Sequence, residues 1–175
     1  LRSFIVNGVR KTRSRMSASL FQHGMLLDVL AYDKQGGRLG RIKEVRADYI
    51  YVDMYFNIGK SSLSLFVLEL IRNTLQEYEA NVVLFDFLYR WFTDLDQRKE
   101  KIANVHLQFM LEFAGYAGFQ PTNNYDDQHH CFDLESGRFL SDDETYGHPS
   151  VMDEDISGYI HQLMVTDRYH LHELD

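Results

Sequence analysis

Residues 38–79 read RLGRIKEVRADYIYVDMYFNIGKSSLSLFVLELIRNTLQEYE, and the spacing of apolar residues changes part-way along. In the first half, Ile42, Val45, Tyr49 and Tyr51 are set as in a strand, with room for a bulge. From Leu63 the apolar positions are 63, 66, 67, 70, 71 and 75, the spacing of a helix. Ser61 or Ser62 is available as its cap. A β-structured first part therefore gives way to a helical second part. The reading predicts an α+β chain divided into residues 1–53 and 54–175.

Working outward, the N-terminal side holds more strands. RSFIVNGV (2–9) is short and β-branched and meets a turn signal at Asn7-Gly8. GMLLDVLAYD (24–33) alternates imperfectly around Leu27, Val29 and Ala31, then meets KQGG (34–37), a hairpin turn. Such hairpins fit a small closed or half-closed barrel. The chain opens at Leu1 on what reads as strand interior, so the start of that barrel is expected to be missing.

The C-terminal side is mostly helical. NVVLFDFLYRWFTDLD (81–96) has Asn81 as cap and puts Val83, Leu84, Phe87, Leu88, Trp91 and Leu95 on one face. EKIANVHLQFMLEFAGYAGF (100–119) turns Ile102, Val105, Phe109, Met110 and Phe113 inward, and Gly115, Gly118 and Pro121 end it. Polar loop follows, then CFDLESGRFL (131–140), a hairpin turning at Ser136-Gly137. A last helix in DEDISGYIHQLMVTD (153–167) begins with acids that suit its N-terminal dipole.

Charge is split along the chain. Residues 1–60 carry eleven Lys/Arg against five Asp/Glu; the remainder carries seven against twenty-one, and the net is −8. The basic half contains an undiluted cluster, Arg10, Lys11, Arg13 and Arg15, in a glycine-hinged loop able to meet phosphates without reading bases. Arg2, Arg38, Arg41 and Lys43 extend the same positive field. Phe4, Phe21, Tyr32, Tyr49 and Tyr51 are aromatics of this half, read mainly as core or barrel wall.

Other chemistries find little support. The sequence has no uninterrupted apolar run of membrane-span length and no secretory signal, so the cytoplasm is expected, and no membrane partner. One cysteine, Cys131, excludes an internal disulfide and an all-cysteine zinc site. Asp126, Asp127, His129, His130 and Cys131 lie close in sequence, but adjacent ligands in a loop rarely close a tetrahedron, so no metal and no cofactor are expected. Nucleophile, zinc-hydrolase and phosphate-loop motifs are missing, and Asp94 and Asp96 read as solvated or capping residues, so no catalytic residue is assigned. The aromatics Phe85, Phe87, Tyr89, Trp91 and Phe92 cannot all face one side of a helix. Some of them must face a neighbour, a partner or solvent.

Two stretches carry a resemblance. LRSFIVNGVRKTRSRMSASLF (1–21) is similar to the strand, glycine and basic loop of the recombination mediator family RecO, and LEFAGYAGFQP (111–121) to the segment that ends that family's main helices. Many members carry four zinc cysteines after it; TNNYDDQHHCFDLESGRF (122–139) has only Cys131, as in the Bacteroidetes type. The resemblance implies an N-terminal OB-fold barrel followed by a helical domain with a small β-hairpin insertion. It implies a non-enzymatic protein of the bacterial cytoplasm and nucleoid. Such a protein binds single- and double-stranded DNA, anneals complementary strands and helps load recombinase onto strands covered by single-strand-binding protein. The implied partners are RecR and the C-terminal tail of single-strand-binding protein. Arg10, Lys11, Arg13 and Arg15 carry over as DNA contacts. Set against this stands a protein-interaction module that takes an acidic, apolar peptide tail, with DNA contact incidental.

Overall fold

A computed structural model describes residues 2–7, 17–32, 39–75 and 80–166. Among these the chain is α+β: β1 (Phe4–Ile5), β2 (Leu27–Tyr32), β3 (Gly40–Ala47), α1 (Ile58–Thr74), α2 (Val82–Gln97), α3 (Val105–Tyr116), β4 (Cys131–Asp133), β5 (Arg138–Leu140) and α4 (Glu154–Val165). It divides into two compact units, Leu1–Arg98 and Lys99–Asp175.

The first unit holds a sheet ordered β1-β3-β2, with β1 parallel to β3 and β2 antiparallel to it. Leu30 faces Glu44 while Ala31 faces Ile42, so Lys43 is the extra residue of a bulge. The bulge resets the alternation. Gly40, Ile42, Val45 and Ala47 are the less exposed residues of β3, and Arg41, Lys43, Glu44 and Arg46 stand out. Residues directly opposite share a face. One side of the sheet is therefore apolar (Phe4, Leu27, Val29 and Ala31 with the inner residues of β3), and the other is polar and basic. The Phe4 ring lies over Gly40: a Cβ there would come within 2.6 Å of that ring and 2.9 Å of the Tyr32 carbonyl.

The strand expected to run through Tyr49 and Tyr51 stops at Ala47. Asp48 N–H donates to the Leu26 carbonyl at 2.9 Å, and the chain then turns inward. Tyr51 is buried and donates to the Gly24 carbonyl at 2.7 Å, and Tyr55 donates to the His23 carbonyl at 2.8 Å. The rings of Tyr49, Tyr51 and Tyr55 meet edge to face. Burial raises the Tyr51 phenol well above its ordinary pKa.

Asp96 organises this turn. It was expected to be solvated or capping, yet it is 2% exposed. Its Oδ1 accepts from the backbone N–H groups of Val52, Asp53 and Met54 at 3.1, 2.8 and 2.7 Å. Its Oδ2 accepts from Val52 N–H at 2.9 Å and from the Tyr49 hydroxyl at 3.0 Å. Burial alone would raise its pKa, but the hydrogen bonds from Val52, Asp53, Met54 and Tyr49 outweigh burial and hold it below the ordinary value. Lys60, equally buried at 2%, donates to the carbonyls of Asp96 and Arg98 at 2.8 and 2.7 Å. It also pairs with Asp53 at 2.8 Å.

The cap of α1 is Asn57, whose Oδ1 accepts from Gly59 and Lys60 N–H. Neither candidate serine serves: the helix already starts at Ile58, and Ser62 donates back to the Ile58 carbonyl at 2.8 Å. The expected end of this helix beyond Leu75 lies partly outside the described residues. Asn81 caps α2 as expected, accepting from Leu84 N–H. Leu84, Phe87, Trp91, Phe92 and Leu95 are buried, with Trp91 and Phe92 edge to face. Val83, about 100° round the helix from Leu84, is exposed rather than on the buried face.

In the second unit α3 buries Val105, Phe109 and Phe113, and the last two rings stack at 5.4 Å. Ile102 precedes this helix and Met110 is exposed, so the buried face is narrower than expected. Tyr116 is the last helical residue, and Gly118 takes φ +86, so Gly115 lies inside the helix. The hairpin turns at Gly137 (φ +65), where buried Asp133 accepts from Ser136 and Glu135 N–H. Asn124 clamps β5 by bonding both the N–H and the carbonyl of Phe139 at 2.8 Å. Asp153 caps α4, and buried Ser157 of that helix accepts from Phe132 N–H at 2.7 Å, tying α4 to β4.

Candidate nucleic-acid interface

The basic side of the sheet is built by pairing. Arg41 stands opposite Tyr32 on β2 and Ile5 on β1. Tyr32 is 61% exposed and Ile5 is also open, so an aromatic ring and a guanidinium share one accessible face. Next along β3 come Lys43 and Glu44, opposite Leu30, then Arg46, opposite Asp28. Lys43 lies 3.5 Å from Glu44, and Arg46 bonds Asp28 Oδ2 at 2.6 and 2.8 Å through Nη2 and Nε. Asn7, its amide oxygen turned to Arg41, accepts from Nη2 at 2.8 Å and Nε at 3.1 Å. These pairs are exposed, so they orient the cations at little energetic cost and leave them able to exchange partners.

Of the eight expected contact residues, Arg2, Arg41 and Lys43 fall in this sheet region, with exposed Arg2 two residues before β1. Arg10, Lys11, Arg13, Arg15 and Arg38 lie outside the described residues, as do Gly8 and the KQGG turn. Two residues of the face were missed. Arg46 was counted only as charge, and the β2–β3 register and the bulge bring it to the face of Arg41 and Lys43. Tyr32 was read as core or wall, and the same register exposes it. Tyr49 and Tyr51 are confirmed as packing residues.

In the second unit, His129 Nδ1 lies 2.9 Å from Asp126 Oδ1, which also accepts from His129 and Gln128 N–H and forms a closed local turn. These hydrogen bonds, the His129 side chain's foremost, hold Asp126 below its ordinary pKa. A four-cysteine zinc centre does not fit a chain whose single cysteine is Cys131. No helix among the described residues is long and apolar enough to cross a membrane.

Comparison with known proteins adds a family. The family model described as "Recombination protein O C terminal" matches residues 55–143, just over half of the chain. The chain is similar to the DNA repair protein RecO of Christiangramia forsetii, 35% identical over 68% of this chain and 50% of that protein. It is 30% identical to the Bacteroides fragilis protein of the same name over 93% of this chain and 66% of that protein. The Flavobacterium psychrophilum protein matches at 30% over 78% of this chain and 56% of its own length. The chain thus spans about half to two thirds of the length of these curated relatives. No solved structure matches it at a significant level. On the match over residues 55–143 and these relatives, the chain belongs to the RecO family.

Proposed function

We propose that the chain serves recombinational DNA repair as a non-enzymatic mediator, and that it binds DNA through the exposed face of β1-β3-β2. The observation that carries this reading is the face on which Tyr32, Arg41, Lys43 and Arg46 stand together. A stacking ring beside exposed cations suits single strands, whose bases offer π-faces and whose phosphates are regularly spaced. Arg2 and the basic residues Arg10, Lys11, Arg13, Arg15 and Arg38 enlarge the contact. Neutralising phosphate charge lets two complementary strands approach and anneal.

The reading assigns residues 1–53 to an OB-type barrel and 54–175 to the helical domain; the family match beginning at residue 55 supports that division. The apolar side of the sheet suits a barrel lining, and the parallel β1–β3 pair beside the β2–β3 hairpin suits the last three strands of an OB barrel. Loading of recombinase onto protein-covered single strands, with RecR and the tail of single-strand-binding protein as partners in the bacterial cytoplasm, completes the reading.

Fluorescence anisotropy of a labelled single-stranded oligonucleotide against the chain, at several salt concentrations, tests it. Binding should weaken steeply with salt. Reversing Arg10, Lys11 and Arg13 to Glu should weaken it further and flatten the logarithmic salt slope by about 2. An unchanged affinity in that variant rejects the assignment of the loop. A second reading, docking of an acidic, apolar peptide tail, is favoured by the exposure of Val82, Val83 and Phe85 at the start of α2. Tail-peptide binding without any response to DNA would select it.

A further inference from the structure

The two arginines of the exposed β3 row are held in the same way by partners of different charge. Arg46 turns its Nε–Nη2 edge to Asp28, whose Oδ2 accepts at 2.8 and 2.6 Å. Arg41 turns the same edge to Asn7, whose amide oxygen accepts at 3.1 and 2.8 Å. That edge, with two N–H groups side by side, is one that a guanidinium offers to a phosphate. One arginine is therefore occupied by a carboxylate, and the other, in matching geometry, by a neutral amide. Strand pairing makes the first arrangement lasting: Asp28 stands directly opposite Arg46 in the β2–β3 register, so the backbone keeps the acid in front of the cation.

We propose that Asp28 is a built-in competitor of backbone phosphate for Arg46, and that it sets how tightly this face holds DNA. This role rests on the DNA-binding reading of the face. A phosphate arriving at Arg41 exchanges with the Asn7 amide and meets no other anion there. At Arg46 it must displace a carboxylate that the strand keeps close, so two anions contend for one cation. Arg41 is then the arginine ready for phosphate, and Arg46 is largely neutralised until Asp28 moves aside.

The pair is exposed on both sides, so the competition is reversible and does not lock the face shut. Its effect is a loose grip, one that a strand can leave and re-enter. That suits annealing, in which two strands must shift register before they pair and the product must then depart. Glu44 is the other acid of the row, and it differs: it lies 3.5 Å from Lys43, a single point contact that occupies no guanidinium edge.

Two exchanges between acid and amide test this in the whole chain, read by anisotropy of a labelled oligothymidylate at several salt concentrations. Asp28→Asn gives Arg46 the neutral partner that Arg41 has. It should tighten binding about fivefold, the weight of one unit charge about 4 Å from another in water. It should also steepen the logarithmic salt slope by about 0.7, the share of one more phosphate on a single strand. Asn7→Asp gives Arg41 the partner that Arg46 has, and should weaken binding and flatten the slope. The gain from Asp28→Asn should disappear in an Arg46→Ala chain, whereas Glu44→Gln, which removes a like charge from the same face, should act equally with and without Arg46. Asn7, Asp28 and Glu44 are all exposed, so these substitutions spare the fold, and far-ultraviolet circular dichroism checks it. A gain from Asp28→Asn that survives the loss of Arg46 is general charge and overturns the proposal; so does an Asn7→Asp chain that binds as well as the unmodified one. Salt-sensitive binding that ignores Asp28→Asn removes the competitor and leaves the DNA-binding reading standing. No salt-sensitive binding by the unmodified chain removes both.

Discussion

Tyr32 shows how one side chain decides what a surface can do. Were it packed inward, the basic face would offer phosphates only charge. Set 61% exposed and opposite Arg41, it would, on the proposed DNA-binding face, give a base a ring to stack on. Base–aromatic stacking is worth about 1–3 kcal/mol per base, so Tyr32→Ala should weaken single-strand binding about tenfold and duplex binding much less. Equal losses on both substrates, read by anisotropy, would argue against stacking. Asp96 does the opposite work: a charged group removed from solvent to satisfy a turn. Replacing it with Asn halves its acceptor capacity and leaves backbone N–H groups without partners, which should cost about 1–3 kcal/mol in chemical denaturation. Its folded pKa is depressed, so its contribution is complete above the unfolded value of about 3.9 and fades as pH falls from there toward the folded value. The Tm gap between the unmodified chain and Asp96→Asn should therefore be widest at neutral pH and narrow below about pH 4.

Between elements, the same carboxylate joins pieces that periodicity treats as separate. Lys60, in the first turn of α1, reaches the last carbonyls of α2 and so satisfies groups that a helix end leaves open. Lys60→Met keeps the length and most of the packing but strands those carbonyls and Asp53, and should destabilise the chain by about 1–3 kcal/mol; full stability in urea would dismiss the tie. Such links explain which elements were legible in the sequence. Helical spacing and asparagine caps exposed α2, and the Ser136-Gly137 signal exposed the hairpin, because those cues are local. The parallel β1–β3 pair and the burial of Tyr51 depend on partners tens of residues away, whereas the cap of α1 was a local signal missed, Asn57 standing one position before the helix. The candidate site divides likewise: the cationic residues were visible as composition. Their common face needed the bulge at Lys43, and Asp28 met Arg46 only through strand pairing.

For the molecule as a whole, the eleven-against-five basic surplus of residues 1–60 is offset by the acids that follow, leaving −8 overall. A polyanion is therefore attracted to one part of the chain and repelled by the rest, which favours one orientation of approach. The division into Leu1–Arg98 and Lys99–Asp175 falls beside exposed Lys99 and Lys101, between α2 and α3. Among the described residues, limited trypsin digestion should cut there early and leave the second unit as a resistant piece; first cuts inside α2 would contradict the division. The reach of Asp96 back to residues 52–54 also sets an order of events during synthesis. The ribosome makes the tyrosine-rich turn more than forty residues before the carboxylate that fastens it. Until α2 leaves the exit tunnel, those amides lack the carboxylate that they bond in the finished fold, so a nascent chain paused before residue 96 should be cut by protease within this turn where the complete chain is protected.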